Sequence, residues 1–352
     1  MKKLYRTVLL TNAPLKTCFR FNNKFQVFPM DTRNKPHSPF ARHFPCYLEY
    51  SIEYDNDEPE DVLSRIALTY NKVKEIRNLL SCLTNHRFFN YEINMQGWGI
   101  PFPNMLPEDM SKEAKDQLNS QESQWFMGLY TYNGLKEDLV INSFTDYSIE
   151  AIYKENQRHQ YFMYNPIDDF QHEITFSNTI SSSLNNYYQL SAPTLRKLNS
   201  CIYLACDGMD IAATKKSLAF LSYVSALEGL VDLEEEDNGI EFKCGSCKAI
   251  KKSPYKCPSC GRPIWGVKQK FVKFLSTFVA DTEKSQKSYR DVYNLRSRIT
   301  HTGRLFQGDY ELSFETNKQE IDNNDYLMRL KTLQLFRIAL DSWLLYEDKK
   351  KK

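Results

Sequence analysis

Nowhere in the 352 residues does the chain run to the eighteen or so uninterrupted apolar residues that a membrane span needs. The N-terminal patch Val8-Leu9-Leu10 is also too short for the apolar stretch of a secretory signal, so the sequence predicts a cytoplasmic protein without a membrane partner. Charge of one sign is missing too. Forty-six Lys and Arg face 44 Asp and Glu, a net charge of +2, which excludes a protein that coats nucleic acid along its whole surface and leaves room only for a local basic site. There is no G-x-x-x-x-G-K-[ST] phosphate loop and no G-x-G-x-x-G fingerprint, so nothing supports nucleotide hydrolysis or dinucleotide chemistry. The histidines number six, and His37, His43, His86, His159 and His172 lack ligand-like spacing. What is present is an ordinary globular balance, 41% hydrophobic and 26% charged, in a chain long enough for two domains.

Two textures divide the chain. Residues 1–186 are rich in Tyr, Phe, Asn and Pro, with β-prone runs at 19–30, 46–54 and 126–132; the second alternates with a period of two. One helix is expected over 60–83, with Val62, Ile66, Leu68, Val73, Ile76, Leu79 and Leu80 as its apolar stripe. The prolines of residues 97–107 demand an irregular loop. This half is read as an α+β domain. The polar run from Ser181 to Asn186 marks the boundary, and residues 187–348 then read as an all-α bundle. Its helices are expected after Ser191 and Pro193, over 211–233, from 265, over 283–300 and over 322–346. The acidic run from Glu234 to Asp237 is expected to end the second of these as a solvated loop, and Lys349 to Lys352 to fray.

Nine cysteines, an odd number, argue against a disulfide framework. Cys18, Cys46, Cys82, Cys201 and Cys206 are scattered among apolar neighbours and read as reduced core residues. Cys244, Cys247, Cys257 and Cys260 instead form C-x2-C, nine residues, C-x2-C. Two residues between thiolates let each turn present both sulfurs to one ion, and two such turns supply the tetrahedral set that Zn²⁺ prefers. Gly245 and Gly261 ease the backbone bends. Four thiolates leave no open coordination position, so the expected zinc, in a ribbon over 241–264 inserted in the helical domain, is structural rather than catalytic.

The helix expected over 283–300 places Arg296 on the same stripe as Tyr289, Val292 and Ile299. A guanidinium on a packing face needs an anionic partner, either a structural carboxylate such as Glu228 or a bound phosphate. His301 follows five residues later, just before Thr302 and a helix-ending Gly303. The two lie about 140° apart around the axis, so both can reach a groove at the helix end or an interface with a second copy, but they do not share one face. A plain alternative for His301 is a favourable seat at the negative end of the helix dipole.

Residues 289–303, with Tyr293-Asn294-Leu295-Arg296-Ser297-Arg298 and His301-Thr302-Gly303, resemble the last core helix of HEPN domains. Residues 220–230, with Glu228 in the acidic position, resemble an earlier helix of the Apea-like branch of that family. The resemblance covers about 192–346, with the zinc ribbon as an insertion. It implies a metal-independent endoribonuclease with Arg296 and His301 as catalytic residues and with Glu228, Tyr293, Asn294, Ser297 and Arg298 in support. Ser297 departs from the Asn, Asp or His that many members carry after the arginine. The resemblance further implies an RNA substrate, a homodimeric site, 2′,3′-cyclic phosphate products and a role in antiphage defence (abortive infection) or as a toxin, with the N-terminal half sensing or restraining it in response to a phage-derived trigger or regulatory protein. The competing reading is a non-catalytic interaction module that holds a protein or nucleic acid through its zinc ribbon.

Overall fold

The computed structural model describes residues 2–30, 44–54, 62–90, 111–113, 139–154, 158–163, 173–238, 241–243, 246–252, 260, 266–310 and 316–350. The strand expected at 126–132 and the loop expected at 97–107 lie outside them. The chain is mixed α/β and divides into two compact units. One comprises Met1–Ser81, His86–Lys154 and Asn165–Phe176; the other comprises Cys82–Asn85, Glu155–Tyr164 and Ser177–Lys352.

The first unit is built on an antiparallel sheet of β1 (Lys2–Thr11), β2 (Phe19–Phe21), β3 (Phe25–Pro29), β4 (Phe44–Glu53), β5 (Phe88–Phe89) and β6 (Leu139–Ile141), in the order β2-β3-β4-β1-β5, with β6 also on β1. β1 pairs with β4 along its whole length, from Lys2 opposite Glu53 to Thr11 opposite Phe44. Its other edge takes β6 at Leu4 to Arg6 and β5 at Leu10 and Thr11. The β2–β3 hairpin turns through Asn22 at a φ of 49°, a left-handed position that asparagine tolerates. Phe19, Phe21, Phe25, Val27, Leu48 and Tyr50 form the core of this unit, and Phe19 stacks on Phe176 with ring centroids 4.5 Å apart. β7 (Tyr153–Lys154) and β8 (Phe176–Ser177) make a separate two-stranded sheet.

The period-two pattern of β4 hides two exceptions to polar-out, Glu49 and Ser51. Glu49 is fully buried. Its Oε1 accepts from Arg6 Nε at 2.8 Å, Arg6 Nη2 at 2.6 Å and Thr145 Oγ1 at 2.7 Å; its Oε2 accepts from Gln26 Nε2 and the Thr145 N–H, both at 2.7 Å. A carboxylate removed from water is stable only when saturated in this way.

The helix α1 (Val62–Leu83) starts close to its expected place, but only its second half is core. Val73, Ile76, Leu79 and Leu80 are buried, whereas Leu63, Ile66, Leu68 and Tyr70 are exposed. Helical periodicity shows that a stripe exists; it does not show how far along the helix the stripe is covered.

The second unit contains α2 (Arg158–Met163), α3 (Ile180–Tyr187), α4 (Ala192–Ile211), α5 (Lys216–Asn238), α6 (Val267–Phe278), α7 (Glu283–Thr302) and α8 (Thr316–Lys350), with a hairpin of β9 (Glu241–Lys243) and β10 (Ile250–Lys252). Contrary to the reading of the polar run Ser181 to Asn186 as a boundary, it lies inside α3. There the Ser183 hydroxyl donates to Asp341, and Asn186 Nδ2 donates to the Leu344 carbonyl at 3.0 Å, both on α8. Ser191 caps α4, its hydroxyl accepting from the Thr194 N–H, with Pro193 in the first turn.

α4 and α5 pack closely enough to require glycine. A Cβ on Gly229 would sit 2.5 Å from Cys201 Sγ, and one on Gly208 would sit 2.6 Å from the Tyr223 ring. α5 starts at Lys216, later than the expected 211, because residues 212–214 form a turn. It also runs straight through the acidic segment to Asn238, correcting the expected loop. Glutamate is a good helix former, and Glu234 Oε2 accepts from the Trp343 indole N–H at 3.0 Å. α8 is helical through Lys350, overturning the expectation of a frayed start at Lys349.

Cys46, Cys82, Cys201 and Cys206 are buried and Cys18 is half-buried, as expected of reduced core thiols. Burial pushes the Cys46 thiol up to about 12, which keeps it protonated and unreactive. Among the described residues no helix is long and apolar enough to cross a membrane.

Candidate active site

The site assembles around α7. Thr282 caps its start by accepting from the Ser285 N–H at 3.1 Å, and Gly303 ends it in the left-handed region at a φ of 65°, its N–H bonded to the Ile299 carbonyl at 3.1 Å. Tyr289, Val292 and Ile299 are buried on one stripe, and Arg296 stands on that stripe as expected, with its side chain 26% exposed.

The carboxylate partner is Glu228 of α5. Arg296 Nη2 donates to Glu228 Oε2 at 3.3 Å. The guanidinium carbon also lies 5.9 Å from the Tyr293 ring centroid, and that ring packs on Phe271 of α6 at 5.4 Å. Tyr293 completes the triangle, its phenol interacting electrostatically with the Glu228 carboxylate. A guanidinium offers five N–H donors, so this single bond to Glu228 orients Arg296 without exhausting it.

Burial raises the Glu228 carboxyl above its ordinary value; Arg296 and the Tyr293 phenol pull it back, and Asp232 one turn along adds to the rise. Burial also raises the Tyr293 phenol, with Glu228 adding to it. The native state therefore binds the Glu228 proton more tightly than the unfolded chain, so its contribution to stability is full below the ordinary value of 4.5 and is lost as pH climbs through the raised one. Urea midpoints measured in pH steps should show the stability of the wild type relative to Glu228→Gln falling as pH rises from below 4.5 toward neutrality. A flat or rising difference would contradict the assignment.

His301 lies in the last turn of α7, exposed. Five residues of helix separate it from Arg296, about 7.5 Å along the axis and on another face. Among the described residues it has no hydrogen-bond partner, and nothing ties it to the Glu228–Tyr293–Arg296 triangle. Ser297 is half-buried and Arg298 exposed. Asn294 is exposed, and its Oδ1 accepts from Lys268 Nζ of α6 at 2.8 Å, a contact the sequence reading missed. The chain beyond the helix is fastened to the start of α5. The Phe306 N–H donates to Ser217 Oγ at 2.7 Å, and the Asp309 carboxylate accepts from the Lys216 and Ser217 N–H groups at 2.6 and 2.8 Å.

Of the four clustered cysteines, Cys244 and Cys257 lie outside the described residues, whereas Cys247 and Cys260 are exposed and reduced. Among the described residues no group of three or more His, Cys, Asp or Glu gathers as a metal would need. The β9–β10 hairpin pairs Lys243 with Ile250, and Cys247 sits in its turn. The next residue, Lys248, has a φ of 59°. A non-glycine residue in that region costs roughly 1–2 kcal/mol, so the bend directly after Cys247 is made against the backbone's own preference. The exposed, reduced thiols of Cys247 and Cys260 have the donor chemistry that zinc takes.

No protein-family model, no curated protein and no solved structure matches the chain.

Proposed function

We propose that the helical unit is a metal-independent endoribonuclease of the HEPN type, with Arg296 and His301 as its catalytic residues. The supporting observation is the placement of Arg296 on the packing face of α7, aimed by Glu228 and Tyr293 yet a quarter exposed, with an exposed imidazole at the end of the same helix. RNA is cleaved when its 2′-hydroxyl attacks the adjacent phosphorus. One proton must leave the nucleophile, another must reach the departing 5′-oxygen, and the phosphorane charge must be stabilised. Arg296 supplies planar donors that match two phosphate oxygens. His301 supplies an imidazole, a side chain that can take a proton or give one to a reacting oxygen. Glu228 and Tyr293 are positioning residues that hold the guanidinium at the right height, and Asn294, Ser297 and Arg298 line the approach on the same helix.

One imidazole cannot act as base and acid in the same step, so the reading requires a homodimer in which two Arg296 and two His301 meet about a two-fold axis. The products are 2′,3′-cyclic phosphate ends, and DNA, which lacks the nucleophile, resists. The biological setting in this proposal is antiphage defence by abortive infection, or a toxin's action, in the cytoplasm. The first unit restrains the nuclease until a phage-derived trigger or regulatory protein engages it. The test is incubation of the purified protein with RNA in EDTA beside Arg296→Ala and His301→Ala. Cleavage by the wild type alone supports the proposal, and indifference to both substitutions defeats it.

The internal ion pair between Arg296 and Glu228 favours a second reading, a non-catalytic module that binds a protein or nucleic acid through its zinc ribbon. In that case the wild type neither cleaves RNA nor harms cells that express it.

Cys244, Cys247, Cys257 and Cys260 are proposed to hold one structural Zn²⁺, which organises the ribbon and takes no part in cleavage. Elemental analysis should return about one zinc per chain, reduced severalfold in Cys247→Ser and Cys260→Ser. Full zinc content in both variants would remove the assignment.

A further inference from the structure

Positive charge in this nearly neutral chain is concentrated. Residues 266–304, spanning α6 and α7, hold nine Lys and Arg against three Asp and Glu, leaving the rest with 37 basic against 41 acidic residues. The same two helices enclose an open groove of about 660 Å³. Lys268 and Lys273 of α6 and Arg290 of α7 line it, and its one carboxylate, Asp281, accepts from Gln286 Nε2 at 2.8 Å. Ser276 also lines it, with a buried hydroxyl that has no hydrogen-bond partner among the described residues. Lys268 reaches across to Asn294, one turn beyond Arg290 on the same face of α7. The cationic lining therefore leads along one face of α7 toward His301, which stands about 20° around from Arg290 and about 16 Å further along the axis, while Arg296 lies about 120° away on the packing stripe.

We infer that the α6–α7 groove is a backbone subsite for single-stranded RNA, which takes successive phosphodiesters on Lys268, Lys273 and Arg290 and delivers the next linkage toward His301 at the end of α7. A narrow cationic groove with a hydroxyl donor and no aromatic side chain suits phosphates rather than base faces, so binding is indifferent to sequence. A membrane-docking surface would instead need apolar residues to insert, and Val272 is the only aliphatic side chain lining the groove. The inference rests on the ribonuclease reading for the identity of the strand, but its test does not require turnover.

A fluorescent 2′-O-methyl oligoribonucleotide, which cannot be cleaved by 2′-hydroxyl attack, is titrated by anisotropy over a salt series against the full chain. It is compared with the triple substitution Lys268→Gln, Lys273→Gln, Arg290→Gln and with an equal charge loss at exposed Arg196, Lys197 and Lys215. Each phosphate contact on a single strand contributes about 0.7 to the slope of log affinity against log salt. The groove triple should therefore lower the slope by about 2 and weaken binding about 50-fold at roughly 0.15 M salt, against less than about threefold for the control triple. Equal weakening by the two triples, or a wild type that does not bind the oligonucleotide, overturns the inference. So does groove-dependent binding to phosphatidylserine vesicles in its place. If the groove triple does not fold, Lys273→Gln and Arg290→Gln taken singly should each lower the slope by about 0.7. Groove-dependent binding by a protein that cleaves nothing would sink the nuclease reading and leave the subsite standing. Cleavage by a protein whose groove triple binds like its control would do the reverse.

Discussion

Alanine at Glu49 is expected to destabilise the first unit by roughly 3–5 kcal/mol, the cost of breaking a buried ion pair by removing one partner. Five donors converge on this fully buried carboxylate, from Arg6 on β1, Gln26 on β3 and Thr145 beyond β6. Its removal strands a guanidinium that is only 25% exposed, together with an amide, a hydroxyl and a backbone N–H. Glu49→Gln keeps the shape and one acceptor oxygen but loses the charge, and should fall between alanine and wild type. Thermal unfolding monitored by circular dichroism should show the alanine variant's first-unit transition lower by roughly 10 °C or more. A shift of only a degree or two would mean that the network is replaceable by water and does not hold the sheet together.

The second large effect is chemical. Arg296→Ala should lower RNA cleavage by roughly a hundredfold to a thousandfold, the usual consequence of losing a preorganised donor to a developing phosphorane. His301→Ala should lower it by a comparable or larger factor, since proton transfer contributes roughly 10² to 10⁴. EDTA should leave the wild-type rate unchanged over the assay, and one 2′-deoxy substitution at the scissile nucleotide should abolish cleavage there. Product strands should end in a cyclic phosphate that resists phosphatase until opened by acid. If the purified protein needs a trigger, the same ranking should appear as growth arrest on expression, relieved by either substitution. Arrest that persists in both variants would place the toxicity elsewhere in the chain.

Local chemistry made many features readable beforehand. Ser191 with Pro193 marks the start of α4 and Gly303 the end of α7, because capping depends on residues next to the helix end. Arg296 was legible as an arginine on a packing stripe, and Glu228, 68 residues earlier, is the partner it finds. What escaped reading depends on partners distant in sequence. Glu49 looks like an ordinary outward-facing strand residue until Arg6 and Thr145, 43 and 96 residues away, close over it. The acidic run after Leu233 reads as solvated because charge alone does not reveal that Trp343 will donate to Glu234. Lys268 carries no motif, and its place beside Asn294 exists only once α6 and α7 are packed. The basic excess across 266–304 was the one available hint, diluted by a whole-chain charge of +2.

The fastening of residues 306–309 to the first turn of α5 has a mechanical consequence. Glu228, which steers the guanidinium, belongs to α5, and the segment that trails the imidazole is moored to that helix's other end. α5 thus works as a jig, steering Arg296 at one end and anchoring the segment that follows His301 at the other. A push that shifts the helix bodily carries the guanidinium and the trailing segment along in step. Under the ribonuclease proposal, control is then expected to obstruct the groove or separate the two copies rather than to displace α5.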